Sequence, residues 1–334
     1  MTSRITPLLL VCYSLACFIS AQRVAAQGPA YTQPEAAQAD ASFALQGEYV
    51  GQVRSGELKL GAQVMALGEG KFSVAIFRGG LPGAGWDGER RDRLEGVQQA
   101  DGSVLIQGEQ ADGVLKEGTV TVIADGQAIG KLEKVSRNSP TLKKEPPAEA
   151  VVLFDGSSAE HWIDAELDGS TLAFAAGSRG TKTKQDFGSC SVHIEFRLPY
   201  MPQARGQQRG NSGLYLQGRY EVQMLDSFGL EGKNNECGGI YTIAEPRVNM
   251  CLPPLVWQTY DVDFTAAVYA DDGQLRKHPR ITVHHNGELI HDDVELPHST
   301  TASPLKPGPQ DGPLFLQNHG NPVRYRNIWV IPKE

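Results

Sequence analysis

The sequence predicts an all-β protein: a jelly-roll or β-sandwich domain toward the C-terminus, preceded by a smaller β-rich domain. Three observations carry this. Many short runs of alternating apolar and polar residues are separated by Gly-Glu, Asp-Gly and Gly-Gly turns. No long amphipathic helical period is present. Asn286-Gly287, set between two strand-like runs, is the strongest hairpin signal in the chain.

The composition agrees. The chain has 334 residues, of which 40% are hydrophobic, with 37 Gly and 20 Pro, so it is globular, turn-rich and long enough for two cores. The net charge is -8 and no basic stripe is visible, which argues against nucleic acid as a partner.

At the N-terminus, Arg4, an apolar core over residues 8–19 and the small residues Val24-Ala25-Ala26 read as a cleavable signal over residues 1–26. The apolar core is too short for a membrane span, and no other run approaches that length. The expected location is therefore secreted or periplasmic. Lipidation at Cys17 is the less favoured alternative, because Ser14 stands where a lipoprotein box has Leu. Residues 27–42, rich in Ala, Gln and Pro, read as a flexible leader.

The first domain is expected over residues 43–135, with strands at 47–53, 57–67, 71–77, 103–107, 119–124 and 128–133. The glycine-rich stretch RGGLPGAGWDG at 78–88 lacks the strand-loop-helix context of a phosphate loop. Its Trp86 either stacks on a sugar or folds back onto its own domain. Residues 136–150, SRNSPTLKKEPPAEA, read as a semi-extended Pro-rich linker.

The second domain is expected over residues 151–334. Its clearest strand is at 191–198, where Val192, Ile194, Phe196 and Leu198 share one face and His193, Glu195 and Arg197 the other. Of the three cysteines after the signal, Cys237 and Cys251 are the best candidates for a disulfide; three small buried thiols are the alternative. No CxxC or paired His at zinc spacing is present.

The stretch RGNSGLYLQGRYEVQMLD, residues 209–226, organises this domain. A polar turn leads into a strand, a Gln217-Gly218 break and a second strand. Glu221 and Gln223 are two apart and share a face; Val222 and Met224 point into a core. From spacing alone, a polar site and a merely wetted strand face are equally good readings.

The ordered blocks of this domain resemble a known family. They are Leu153-Phe154-Asp155-Gly156 with Trp162; Glu195-Phe196-Arg197-Leu198; Gly210-Asn211-Ser212-Gly213; and Tyr220-Glu221-Val222-Gln223-Met224-Leu225-Asp226. Asn249, Pro253-Pro254, Trp257-Gln258-Thr259-Tyr260, Gln317-Asn318-His319-Gly320-Asn321-Pro322-Val323 and Arg326-Asn327-Ile328 follow in register. On these residues the segment 151–334 resembles the 3-keto-glycoside lyase/hydratase, or 3-keto-disaccharide hydrolase, domain family, formerly a domain of unknown function. The resemblance implies a concanavalin A-like jelly roll in a secreted enzyme acting on sugars already oxidised at C3, and so an oxidoreductase that supplies the keto-sugar.

Glu221-x-Gln223-x-x-Asp226 is similar in spacing to the Glu-x-Asp-x-x-Glu of laminarinase-like glucanases. A retaining glycosidase needs two carboxyls about 5 to 5.5 Å apart. Gln223 replaces one acid, so direct displacement at C1 is disfavoured. A ketone at C3 offers another route: it makes the C2 hydrogen acidic, and the C1 substituent then leaves by β-elimination. Water can add to the enone. The competing readings are a non-catalytic carbohydrate-binding protein and, less favoured, a glucanase-like hydrolase.

The resemblance implies catalytic roles for Glu221, His319 and Arg326, and sugar contacts for Asn211, Gln223, Asp226, Lys233, Tyr241 and Arg324. No cofactor is required by the sequence; a divalent metal on Glu221, Asp226 and His319 is one option, since these offer hard or borderline ligands. The segments 200–208 and 229–241 depart from the commoner family form, the latter by Cys237 and an extra glycine. Both border the expected site.

Overall fold

The structure, a computed structural model, describes residues 28–89 and 91–333. The expected signal peptide lies outside them. Among the described residues no helix is long and apolar enough to cross a membrane.

The first domain is a closed barrel of antiparallel strands: β1 (Gly47–Val53), β2 (Leu58–Ala66), β3 (Lys71–Arg78), β4 (Arg91–Gln98), β5 (Val104–Gln107), β6 (Asp112–Lys116), β7 (Thr119–Ala124) and β8 (Gln127–Val135). Each strand pairs with the next, and β8 closes on β1. Closure removes exposed sheet edges. Inward side chains such as Tyr49, Val64, Phe72, Val74, Ile106 and Leu132 fill the interior.

Two of these strands are missing from the sequence expectation. On β4 (RDRLEGVQ) the inward positions include Gly96, where an added Cβ would lie 2.9 Å from Val104. On β6 (DGVLK) Gly113 takes a buried position. Glycine at a buried position erases the apolar alternation by which a strand is recognised.

The segment expected to be a flexible leader is docked instead. Tyr31 forms an antiparallel bridge with Tyr200. Two short helices follow, α1 (Pro34–Ala37) and α2 (Ala41–Leu45), the second capped by the Asp40 carboxylate accepting from the Ser42 N–H at 2.9 Å. Ala37 is fully buried and Phe43 packs on Tyr200 at 5.1 Å between ring centroids. These apolar side chains supply burial that a count of Ala, Gln and Pro does not reveal.

In the second domain the strands are β9 (Val151–Phe154), β10 (Trp162–Ile163), β11 (Ala165–Asp168), β12 (Thr171–Phe174), β13 (Gly180–Phe187), β14 (Cys190–Arg197), β15 (Ser212–Leu216), β16 (Tyr220–Met224), β17 (Trp257–Thr265), β18 (Val268–Tyr269), β19 (Leu275–Lys277), β20 (Arg280–His285), β21 (Glu288–Glu295), β22 (Gly312–Gln317) and β23 (Arg324–Pro332). One sheet runs β10-β13-β22-β15-β16 and the other β11-β12-β23-β14-β17-β20-β21, with β9 on β23. Their inner faces make one core, with Leu214, Leu216, Val222, Met224, Leu314 and Leu316 from the first sheet and Val192, Ile194, Phe196, Tyr260 and Tyr325 from the second. The Asn286-Gly287 hairpin lies between β20 and β21, with Asn286 at φ 52 and Gly287 at φ 81.

The two domains share side chains. Met65 of the barrel packs in the sandwich core, while Tyr200 and Leu255 pack in the barrel core. The segment 136–150 is likewise fastened to the sandwich. Ser139 bonds Thr259 at 2.6 Å, Thr141 donates to Asp261 at 2.7 Å, and the Lys143 N–H donates to Glu195 at 2.5 Å. A polar sequence suits this strap because its partners are polar side chains on the outer face of β14 and β17. Cys190, Cys237 and Cys251 are buried free thiols.

Candidate functional site

The β15/β16 hairpin builds the site. Gln217 (φ 53) and Gly218 (φ 61) make the left-handed turn, and the Arg219 N–H closes it on the Leu216 carbonyl at 3.0 Å. The register then puts Tyr215 opposite Glu221 and Gly213 opposite Gln223. Since Leu214, Leu216, Val222 and Met224 face the core, Gly213, Tyr215, Glu221 and Gln223 lie together on the other face. Phe315 and Gln317 of β22 extend that face, Phe315 pairing with Tyr215.

Glu221 is 2% exposed and its Oε1 has no hydrogen-bond partner. Burial pushes its carboxyl up to about 8, although the neighbouring Tyr215 hydroxyl pulls in the opposite direction. At neutral pH it is therefore mostly a neutral acid and a proton donor. Gly213 makes room for it: an added Cβ there would lie 2.0 Å from Glu221 Oε1. The Tyr215 hydroxyl donates to the Thr301 carbonyl at 3.2 Å and accepts from the Gln317 side-chain amide at 3.1 Å. Burial, followed by the Glu221 charge, raises the Tyr215 hydroxyl far above its ordinary range. It stays protonated.

A carboxamide cluster adjoins this acid. Gln223 Nε2 donates to Asn211 Oδ1 at 3.1 Å and Gln207 Oε1 at 3.3 Å. Asn211 Nδ2 donates to the Gln207 carbonyl at 2.7 Å. Gln207 Nε2 in turn reaches the Asn235 carbonyl at 2.8 Å. Main-chain bonds tie in the loop after β16: Gly238 N–H to the Gln223 carbonyl and Gln223 N–H to the Gly239 carbonyl, both 2.9 Å. Ile240 bridges Val222, and the Tyr241 N–H donates to the Glu221 carbonyl at 3.4 Å. Tyr241 is half-buried beside Glu221.

The segment 300–305 runs alongside the strand that carries the acid. Thr300 Oγ1 accepts from the Glu221 N–H at 3.0 Å, and the Leu305 N–H donates to the Gly218 carbonyl at 3.0 Å. Phe315 and Gln317 remain half-buried, and Lys182 and His319 are exposed.

Of the residues expected at the site, the structure brings Glu221, Gln223, Asn211 and Tyr241 together. His319 lies in the exposed loop after β22, the strand that carries Gln317. Lys233 pairs with Glu231 at 3.3 Å on the surface. Asp226 is buried in an ion pair with Arg209, Nε to Oδ2 2.6 Å, so its carboxylate is already engaged. Among the described residues no group of three or more His, Cys, Asp and Glu side chains is placed to hold a metal, and Glu221, Asp226 and His319 do not form one.

Arg324 and Arg326 are corrected outright as neighbours of Glu221. They stand on β23 in the other sheet, and Tyr325 between them faces the core, so both point to the opposite outside of the sandwich. Arg326 pairs with Glu195 at 2.6 Å and lies over the Trp257 ring at 4.1 Å; Arg324 pairs with Asp168 at 2.6 Å. There Glu195 also meets Asn327 at 3.0 Å, and His193 meets Asp261 at 2.9 Å. Period-two alternation assigns a residue to one of two faces, but not to one of two sheets.

Tyr215, Gly213 and Gln207 were not singled out from sequence. Tyr215 and Gly213 have a visible signal: they alternate on the strand that the Gln217-Gly218 turn folds against Glu221. Gln207 has none, because it reaches the cluster from a loop. A cleft of about 370 Å³ lies between the barrel and the sandwich, lined by Trp86, Asp87, Arg247, Val248 and Glu288. Trp86 also packs edge-on against Phe77 at 5.3 Å, the fold-back alternative.

Residues 149–331 match the model of the 3-keto-alpha-glucoside-1,2-lyase-like domain family. A crystal structure of a provisionally named glycosyl hydrolase from Parabacteroides distasonis ATCC 8503 is similar, with 32% identity and a TM-score of 0.52 over 56% of this chain and 84% of that one. A second provisionally named glycosyl hydrolase from the same organism has 16% identity and a TM-score of 0.41 over 57% of this chain and 98% of that one. No curated protein matches the chain.

Proposed function

The chain belongs to the 3-keto-alpha-glucoside-1,2-lyase-like domain family, and on that premise we propose a secreted carbohydrate-active enzyme that cleaves 3-keto-glycosides by β-elimination. Hydration of the resulting enone would complete a net hydrolysis. The similar structure named as a glycosyl hydrolase supports a carbohydrate substrate. The two packed sheets support a concanavalin A-like jelly roll as the scaffold.

The observation that carries the chemistry is Glu221: a neutral acid on the face away from the core, with one carboxyl oxygen unpartnered and its space kept open by Gly213. In the proposed reaction a base removes the C2 proton and the electrons move into the C3 carbonyl as an enolate. The enolate then collapses to the C1–C2 double bond of the enone as the C1–O bond breaks. Glu221, protonated near neutral pH, donates to the departing oxygen. A positioned acid or base contributes roughly 10² to 10⁴ in rate. Tyr215, whose hydroxyl stays protonated, serves as a hydrogen-bond donor to developing negative charge once it releases the Thr301 carbonyl. His319, in the exposed loop after β22, is the candidate base for C2, and Gln223, Asn211 and Tyr241 are the candidate sugar contacts. Glu221 is 2% exposed, so substrate reaches it only after a neighbouring segment moves aside.

That burial favours a second reading, a carbohydrate-binding protein without turnover. Incubating the mature protein with a 3-keto-disaccharide and with its unoxidised parent separates the two. Enone absorbance and released sugar from the ketone alone support the lyase. Binding without product from either supports the second reading, and turnover of the parent supports a glycosidase.

A further inference from the structure

We infer that the N-terminal barrel is the clamp that fixes the two loops walling the Glu221 face, with Arg91 and Arg93 as its positioning residues. The inference rests on reading that face as the reaction site.

Both loops that border the site are tied to the barrel by arginine-to-carbonyl hydrogen bonds. From β4, Arg91 Nη1 donates to the Leu230 carbonyl at 2.5 Å. Arg93 Nη2 donates to the Gly229 carbonyl at 3.0 Å, while its Nη1 is anchored on Ser73 Oγ of β3 at 3.1 Å. In the other direction, Arg205 Nη2 donates to the Leu67 carbonyl at 2.5 Å, and Arg209 Nη1 to the Ala66 carbonyl at 3.1 Å, both at the end of β2. Gly229 seats against Met65: an added Cβ there would lie 3.3 Å from the methionine methyl.

The clamped carbonyls lead directly to the site. Gly229 and Leu230 begin the loop whose Gly238 and Gly239 exchange main-chain bonds with Gln223 and whose Tyr241 sits beside Glu221. Arg205 and Arg209 flank Gln207 and precede Asn211, the two side chains that hold the Gln223 amide. The two loops meet where Gln207 donates to the Asn235 carbonyl at 2.8 Å. A guanidinium suits this task because its fork reaches two acceptors from one rigid plane. Arg93 uses it to bridge β3 and the loop.

The test compares the full mature chain with the Arg91→Ala/Arg93→Ala double variant and with Arg91→Lys/Arg93→Lys. Two readouts are taken: amide exchange across residues 223–241, and KM and kcat on a 3-keto-disaccharide per folded molecule. The alanine variant is expected to exchange faster at Gly238 and Gln223 while the barrel strands keep their protection. Its kcat/KM should fall roughly tenfold, since small displacements of positioning groups cost up to about 10² in rate. The lysine variant should recover part of both. Unchanged loop exchange overturns the inference, as does a loosened loop with unchanged KM and kcat. If the wild type turns over no keto-sugar, the reaction reading fails on its own, and the exchange result still decides the clamp.

Discussion

Gly213 leaves open the space that the Glu221 carboxyl occupies: a Cβ at Gly213 would stand 2.0 Å from Oε1 of the glutamate, closer than two such atoms can approach. The two residues are diagonal across the β15/β16 hairpin, so the site depends on a hydrogen atom where any other residue has carbon. Gly213→Ala is expected to push the carboxyl out of place and cost about 1 to 3 kcal/mol, the usual range for overpacking. Denaturant unfolding checks the stability. Turnover should be lost in the folded fraction of the variant.

Glu221 also predicts an unusual pH dependence. Its ordinary value of 4.5 is raised to about 8 by burial. Between these values the unfolded chain releases the proton and the native state keeps it. The native state then binds more protons, so this group makes stability fall as pH rises through that window. Glu221→Gln removes the term. The variant should gain stability over wild type at pH values near 8, with little gain below 4.5. Thermal unfolding across that window checks it, and parallel curves for the two proteins would contradict it.

Asp226 is predicted to act through structure. It is buried against Arg209, which also holds the barrel at Ala66. Arg209→Met leaves an uncompensated buried carboxylate and should cost about 3 to 5 kcal/mol. Equilibrium unfolding measures this; a cost under about 1 kcal/mol, as for exposed pairs, would contradict it.

Glu195 is predicted to latch the strap. Burial acts to raise it, but its bonds with His193, Asn327, Arg326 and the Lys143 N–H outweigh this and hold it at about 2. Because its ordinary value is 4.5, this group stabilises the fold above 4.5, and the contribution is lost as pH falls toward 2. Glu195→Gln should loosen residues 139–144 and speed their proteolysis at neutral pH. Wild-type cleavage rates would count against the latch.

Much of the fold was legible in sequence, for a physical reason. Where one face of a strand is buried, alternation is forced, as in Val192, Ile194 and Phe196 opposite His193, Glu195 and Arg197. It failed where glycine took a buried position, at Gly96 and Gly113. At the site, alternation put Glu221 and Gln223 on one face, and the ordered blocks pointed to the family. Sequence could not assign the sheet, so Arg324 and Arg326 were expected beside Glu221 and stand on the far side. It also could not reveal that Asp226 is engaged by Arg209, because that pairing joins a loop to a strand end across 17 residues.

The most direct test of the central claim is the kcat/KM of wild type and Glu221→Gln on a 3-keto-disaccharide across a pH range spanning about 8. With Glu221 as the proton donor, wild-type activity falls as pH rises through that value, and the glutamine variant, though folded, shows no comparable turnover. A variant that keeps wild-type rates and the same pH profile would contradict the account.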